Sequence, residues 1–81
     1  MNAILLSNRA LCYLKQEKLD LALEDCNASI HLNPKYVKSY HRRAEIKVKQ
    51  GDFDDAVGDY HTMKEIDPSQ NVDGLINNAN A

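Results

Sequence analysis

The feature that most constrains this 81-residue chain is an internal repeat with a period of 34 residues. Shifting the sequence against itself by 34 positions aligns eight identical residues, whereas chance overlap would give about two. A period of this length indicates a stacked array, in which every unit is the same small arrangement of helices or strands. The eight identities are Arg9 and Arg43, Ala10 and Ala44, Lys15 and Lys49, Gln16 and Gln50, Asp20 and Asp54, Ala22 and Ala56, Asp25 and Asp59, and Pro34 and Pro68.

The first unit is predicted to be a helix, a polar turn and a second helix. Apolar residues recur at helical spacing over residues 3–14 and again over residues 19–32. Pro34 ends the second helix, because proline has no backbone N–H and restricts the residue before it. The residues expected to face inward are Leu6, Ala10 and Tyr13 on the first helix and Leu19, Ala22, Leu23, Cys26 and Ile30 on the second.

The second unit repeats this pattern, with helices predicted over residues 37–50 and 53–66. Gly51 is placed in the turn because glycine adopts the left-handed conformation that often follows a helix, and Pro68 ends the unit. Residues 69–81 predict a fifth, weaker helix that frays after Asn77, since asparagine is a poor helix former. The inward positions are Tyr40, Ala44, Val48, Phe53, Ala56, Val57, Tyr60 and Met63, then Val72, Leu75, Ile76 and Ala79.

Charge and cysteine content exclude several classes of function. A formal net charge of −2 gives no attraction of the whole surface to nucleic acid or anionic membranes. Cys12 and Cys26 are too few for a disulfide framework or a zinc ligand set, so both are expected to be small buried hydrophobes in a reducing compartment.

No stretch has the length of a membrane span and the start does not read as a secretory signal. We therefore expect a cytoplasmic location and no metal, cofactor or catalytic residue.

These residues resemble the tetratricopeptide repeat (TPR) family, whose small and aromatic positions recur every 34 residues. The resemblance implies an all-α superhelix over residues 1–81, with repeats at 3–36 and 37–70 and a capping helix at 71–81, taken as a fragment of a longer array. Lys47 and Met63 depart from the pattern, because they stand where the family has an aromatic and a small residue. The matching positions are Ala10, Tyr13, Ala22, Ser29 and Pro34, then Ala44, Ala56 and Pro68.

Two runs, residues 7–10 and 36–44, are similar to the carboxylate-clamp subclass of this family, found in the Hsp-organising protein and in J-domain TPR proteins. The resemblance implies that Asn8, Lys38 and Arg42 grip the carboxylates of the C-terminal EEVD tail of heat-shock protein 70 or 90. That subclass normally uses three repeats, and the donors of its first repeat have no counterpart here.

The spacing of the residues supports such a clamp independently. Lys38 and Arg42 are four residues apart and share a helix face, and Asn8 precedes Arg42 by one period. Stacked repeats place equivalent helices side by side on a concave surface, so the three donors are expected to converge. The other groove positions are Leu11, expected to floor an apolar pocket, Lys15, Lys49 and Glu45; Glu45 would repel an acidic peptide unless it pairs with Lys49 or Arg42.

Other readings stay open. The chain could be a structural scaffold that binds another protein through its convex face or its ends, and the basic residues between 35 and 49 leave RNA binding as a weaker alternative. An enzyme is disfavoured because no Gly-rich phosphate loop or paired-histidine motif occurs, and the three histidines read as surface positions.

Arg9 and Arg43 are expected to lie over the packing face. An apolar flank at Leu5, Leu6, Tyr13 and Leu23 is expected to support a homodimer.

Overall fold

The structure is a computed structural model that describes residues 1–80, and within them every regular element is a helix. The predicted all-α fold is confirmed, and each end of the first four helices lies within one residue of its predicted position. The predicted fifth helix is present and extends to Asn80. The helices are α1 (Ala3–Lys15), α2 (Leu19–Leu32), α3 (Val37–Lys49), α4 (Phe53–Ile66) and α5 (Val72–Asn80).

Local interactions explain where the helices begin and turn. The side chain of Asn2 caps α1 by accepting a hydrogen bond from the backbone N–H of Leu5 at 2.8 Å. Gly51 has a φ of 79° in the turn between α3 and α4, as predicted, and Glu17 has a φ of 59° in the turn between α1 and α2. Residues 17 and 51 are one repeat apart and both have a positive φ, although only the second of these two positions is glycine.

Each helix packs against the next along the chain, and α1 also packs against α3. The first core joins the two helices of the first repeat to α3 through Ala10, Leu14, Ala22, Cys26 and Ile46. The second core joins α3, α4 and α5 through Tyr40, Ala44, Ala56, Tyr60, Met63 and Val72. The four alanines of these cores are fully buried, and the larger side chains fill the remaining space between the helices.

A buried hydroxyl pair ties the two repeats together. Ser29 Oγ on α2 donates to the backbone oxygen of Ala3 at 2.7 Å and lies 2.6 Å from Ser39 Oγ on α3. Because a serine hydroxyl has one hydrogen, the Ser39 hydroxyl must donate to Ser29. These contacts connect α1, α2 and α3 at a point where Ser29 and Ser39 are both fully buried.

Several predicted burial states are wrong, and neighbouring helices explain most of them. Cys26 is buried as expected, but Cys12 is exposed. The equivalent residue one repeat later, Ile46, is fully buried because the first repeat packs against that face of α3; no described helix covers the same face of α1. Leu14 and Ile46 belong to the core although the predicted stripes omitted them, and Phe53, the first residue of α4, is 40% exposed.

The apolar flank proposed for self-association is smaller than expected. Leu6 is buried and Tyr13 and Leu23 are half-buried, so only Leu5 of the four is exposed, at 51%.

The fold accommodates Met63 and Lys47, the two residues that depart from the repeat pattern. Met63 is 1% exposed inside the second core, and Lys47 lies 3.6 Å from the carboxylate of Asp55.

Candidate functional site

The three predicted clamp donors lie on two helices that pack against each other, α1 and α3. Asn8 and Lys38 are exposed, and Arg42 is half-buried, with 21% of its side chain accessible. Within residues 1–77, whose side chains the structure describes, the side chains of Asn8 and Lys38 form no hydrogen bond or ion pair with another residue. Both donors are therefore accessible to a ligand, and neither is committed to stabilising the fold.

The structure brings the other four predicted residues together in one cleft between α1 and α3. The cleft has a volume of about 360 Å³ and lies at the C-terminal end of α1. Leu11 is half-buried and supplies apolar surface, while Lys15, Lys49 and Glu45 supply charge of both signs. Asn8, Lys38 and Arg42 are not part of this lining, which consists of Leu11, Leu14, Lys15, Gln16, Glu17, Glu45 and Lys49.

Glu45 lines the cleft and also contacts Arg42, one of the predicted clamp residues. Its Oε1 accepts a hydrogen bond from Arg42 Nη1 at 3.1 Å and lies 3.2 Å from His41 Nε2. These partners are three and four residues earlier on α3, at the spacing that brings helix side chains into contact. Of the two pairings considered from the sequence, Glu45 with Arg42 or with Lys49, the structure has the first. The contribution of His41 was not anticipated.

His41 is half-buried, unlike His31 and His61, which are exposed as expected. Its ring makes an edge contact with Tyr60 on α4, with the ring centroids 6.4 Å apart. Burial lowers the pKa of His41, the Glu45 carboxylate acts in the opposite direction, and the Arg42 charge lowers it further. The Tyr60 pKa is raised by burial and by the charges of Glu45 and Asp59. Near neutral pH His41 is therefore an uncharged partner of Glu45.

The two arginines that were expected to lie over the packing face lie over tyrosine rings, Arg9 over Tyr13 and Arg43 over Tyr40. Both also make paired contacts with buried carboxylates. Arg9 binds Asp25 and Arg43 binds Asp59, in each case through two hydrogen bonds. These two ion pairs could have been suspected from the sequence, because both arginines and both aspartates are among the eight identities at the 34-residue shift. Arg43 is thus a structural residue of the repeat, in contrast to its neighbour Arg42.

A second groove lies between α2, α3 and α4. It is a candidate binding surface for the alternative in which the chain is a scaffold that uses another face. It has a volume of about 500 Å³ and is lined by Leu23, Asn27, Arg43, Lys47, Asp54, Asp55, Gly58, Asp59 and Thr62. Its charged groups are largely paired with each other, Arg43 with Asp59 and Lys47 with Asp55. A ligand here would have to displace these contacts, which makes the groove a weaker candidate than the cleft between α1 and α3.

Among the residues that the structure describes, no group of three or more histidine, cysteine, aspartate or glutamate side chains is placed to hold a metal ion. None of the five helices combines the length and the hydropathy that crossing a bilayer would demand.

Comparison with known proteins identifies the first repeat and its relatives. Residues 3–36 match the tetratricopeptide repeat family model. The chain is 38% identical over 68 residues to a DnaJ homolog subfamily C member 7 homolog from Dictyostelium discoideum, a match covering 84% of this chain and 13% of that protein. It is 42% identical over 67 residues to human serine/threonine-protein phosphatase 5, which covers 83% of this chain and 13% of that protein. The chain thus spans about an eighth of the curated relatives it matches.

A solved structure matches nearly the whole chain. The second TPR domain of human RPAP3, determined in complex with the HSP70 peptide SGPTIEEVD, superposes with a TM-score of 0.89 and is 30% identical. The match covers 99% of this chain and 68% of that domain. Repeat period, helix order, buried alanines and this likeness agree, and the chain belongs to the tetratricopeptide repeat family, whose fold is a protein-interaction module.

Proposed function

We propose that this chain binds the acidic C-terminal peptide of heat-shock protein 70 or 90 along α1 and α3, with Asn8, Lys38 and Arg42 as the carboxylate-binding residues. The observation that carries the proposal is the likeness of nearly the whole chain to a domain determined with an HSP70 peptide ending in EEVD. The accessibility of Asn8 and Lys38 adds support, because unpaired donors on adjacent helices are available for a ligand.

The chemistry of the peptide suits these donors. A C-terminal aspartate presents two carboxylates close together, the side chain and the chain end. Arginine offers a planar fork to a carboxylate, lysine a mobile charge and asparagine an amide donor. Hydrogen bonds to charged groups contribute about 1.5–3 kcal/mol each. The cleft lined by Leu11, Lys15, Glu45 and Lys49 would accept a side chain upstream of the terminus, with Leu11 packing against its apolar part.

Calorimetric titration of the chain with the peptide SGPTIEEVD, as free acid and as C-terminal amide, tests the proposal. Removal of the terminal charge should weaken binding by about tenfold or more, the equivalent of one lost charge-assisted hydrogen bond. Replacing both Lys38 and Arg42 by alanine should weaken it by more than about a hundredfold, since two such contacts are lost.

The matched control replaces Lys18 and Lys64 by alanine, because both are exposed and neither lies on α1 or α3. This variant has the same net charge as the clamp variant and should bind almost as the unmodified chain does. Equal affinity for acid and amide would reject the clamp. Binding that survives in the clamp variant would instead favour a scaffold that uses another face.

A further inference from the structure

The carboxylate of Glu45 is already bound to the arginine that the proposed function assigns to the ligand. A single oxygen of Glu45 contacts both Arg42 Nη1 and His41 Nε2, at 3.1 Å and 3.2 Å. All three residues are on α3, and their side chains are 21–35% accessible. They form a half-buried cluster in which the Arg42 charge is balanced before any ligand arrives.

The lysines of the cleft form no ion pair with the cluster. Lys49 is one helical turn after Glu45, yet both Lys49 and Lys15 are exposed, and neither forms an ion pair with a side chain of residues 1–77. Since burial lowers the pKa of His41, that residue also adds no positive charge near neutral pH. Arg42 is therefore the cation that Glu45 contacts and that an incoming carboxylate would also bind.

We infer that Glu45 is an internal competitor for Arg42 and thereby sets the affinity of the site for acidic C-terminal peptides. An incoming carboxylate that binds Arg42 end-on, through both Nη atoms, needs the Nη1 that Glu45 occupies. One that binds side-on, through Nε and Nη2, shares the guanidinium with the Glu45 carboxylate. A bound peptide must displace this contact or lie beside a second carboxylate, and either event costs free energy. The inference rests on the proposed function and names Glu45 as a residue that tunes it.

A purely positioning role for Glu45 makes the opposite prediction. If Glu45 served only to hold Arg42 in its binding conformation, its removal would weaken the peptide complex. If Glu45 competes, neutralising it strengthens the complex. Glu45→Gln separates the two roles, because glutamine keeps the size and a hydrogen-bond acceptor while losing the negative charge. The direction of the change in affinity is thus diagnostic.

The test is a calorimetric titration of the free-acid peptide SGPTIEEVD into the unmodified chain, Glu45→Gln and Glu65→Gln. Glu65 is exposed on α4, so its replacement gives the same change in net charge away from the groove. Glu45→Gln is expected to tighten binding about fivefold, the effect of removing one partly exposed charge pair. The gain should exceed that of Glu65→Gln and shrink at high salt, which screens the repulsion.

The outcomes distinguish this inference from the proposed function. If the unmodified chain binds the peptide and Glu45→Gln binds equally or more weakly, the competitor role is wrong while the clamp stands. If the chain and Glu45→Gln both fail to bind, the proposed function fails and the competitor role fails with it. Tightening in Glu45→Gln beyond the Glu65→Gln control supports both. Circular dichroism of each variant verifies that the fold is retained.

Discussion

Arg43 holds Asp59 through two hydrogen bonds, Nε to Oδ2 at 2.9 Å and Nη2 to Oδ1 at 2.7 Å. The same arrangement joins Arg9 to Asp25 one repeat earlier, at 2.7 Å and 2.8 Å. Both aspartate side chains are 8% accessible, but the Arg43 side chain is 27% accessible and that of Arg9 is 46%. Each pair fastens the first helix of a repeat to its second helix, and the Arg43 pair is the better shielded from water.

The first prediction concerns this pair. Arg43→Met should lower the free energy of unfolding by about 2–3 kcal/mol, because it leaves the Asp59 carboxylate buried without its partner. Urea denaturation followed by circular dichroism measures the change. Arg9→Met should cost less, since water reaches that pair more easily. A double variant, Arg43→Met with Asp59→Leu, should recover part of the loss because the orphaned charge is removed. A loss from Arg43→Met no larger than that from Arg9→Met would contradict the shielding argument.

The second prediction is that the two thiols differ in reactivity. Burial raises the pKa of Cys26 to about 12, so almost no reactive thiolate exists near neutral pH. Cys12 is exposed on α1. Iodoacetamide at about pH 8 should modify one thiol per native chain, and peptide mass mapping should locate it at Cys12. Cys12→Ser should remove the reaction in the native protein, and denaturant should restore it at Cys26. Rapid modification of Cys26 in the folded chain would refute this assignment.

The third prediction is a pH dependence of stability that comes from His41. Burial holds the folded-state pKa of His41 below the unfolded value of about 6.5, so the unfolded chain takes up the proton first as the pH falls. The stabilising contribution is complete above the unfolded pKa and is lost as the pH falls through the folded pKa. When the pH is lowered from about 7.5 to 5, the melting temperature of the unmodified chain should fall more than that of His41→Gln. His61→Gln, at an exposed site, should behave as the unmodified chain.

The fold could be predicted from the sequence because its determinants are local or periodic. The 34-residue period gave the number of repeats, and Pro34, Pro68 and Gly51 marked where helices stop or turn. These residues act through their own backbone restrictions, which do not depend on distant parts of the chain. Four helices were therefore placed to within one residue at each end.

Burial and side-chain partners were harder to predict because they depend on what packs against each helix. Cys12 and Ile46 occupy equivalent positions, yet one is exposed and the other fully buried, since only α3 has a repeat packed on that face. The partners of Arg9 and Arg43 lie 16 residues away on another helix, beyond the reach of helical spacing. The contacts of Glu45 with Arg42 and His41 are local. The sequence analysis named Arg42 as one of two partners, and the i, i+4 rule could also have found His41.

The last prediction uses the two turns as controls for each other. Glu17 and Gly51 occupy the same place in successive repeats with φ angles of 59° and 79°. This left-handed conformation costs a residue with a Cβ about 1–2 kcal/mol, whereas glycine adopts it freely but loses more backbone entropy on folding. Glu17→Gly should therefore stabilise the chain by about 0.5–1 kcal/mol, and Gly51→Glu should destabilise it by a similar amount.

Gly51 has room for a Cβ, because apart from its two neighbours in the chain no atom lies within 4 Å of that position. The expected changes in melting temperature are about 2–8 °C, upward for Glu17→Gly and downward for Gly51→Glu. A variant with both changes moves the glycine from the second turn to the first and should melt near the unmodified temperature, since the two sites are separate and their effects add. Shifts of the same sign in the two single variants would mean that the turns are not equivalent, and that contacts of the Glu17 side chain outweigh the cost of its backbone conformation.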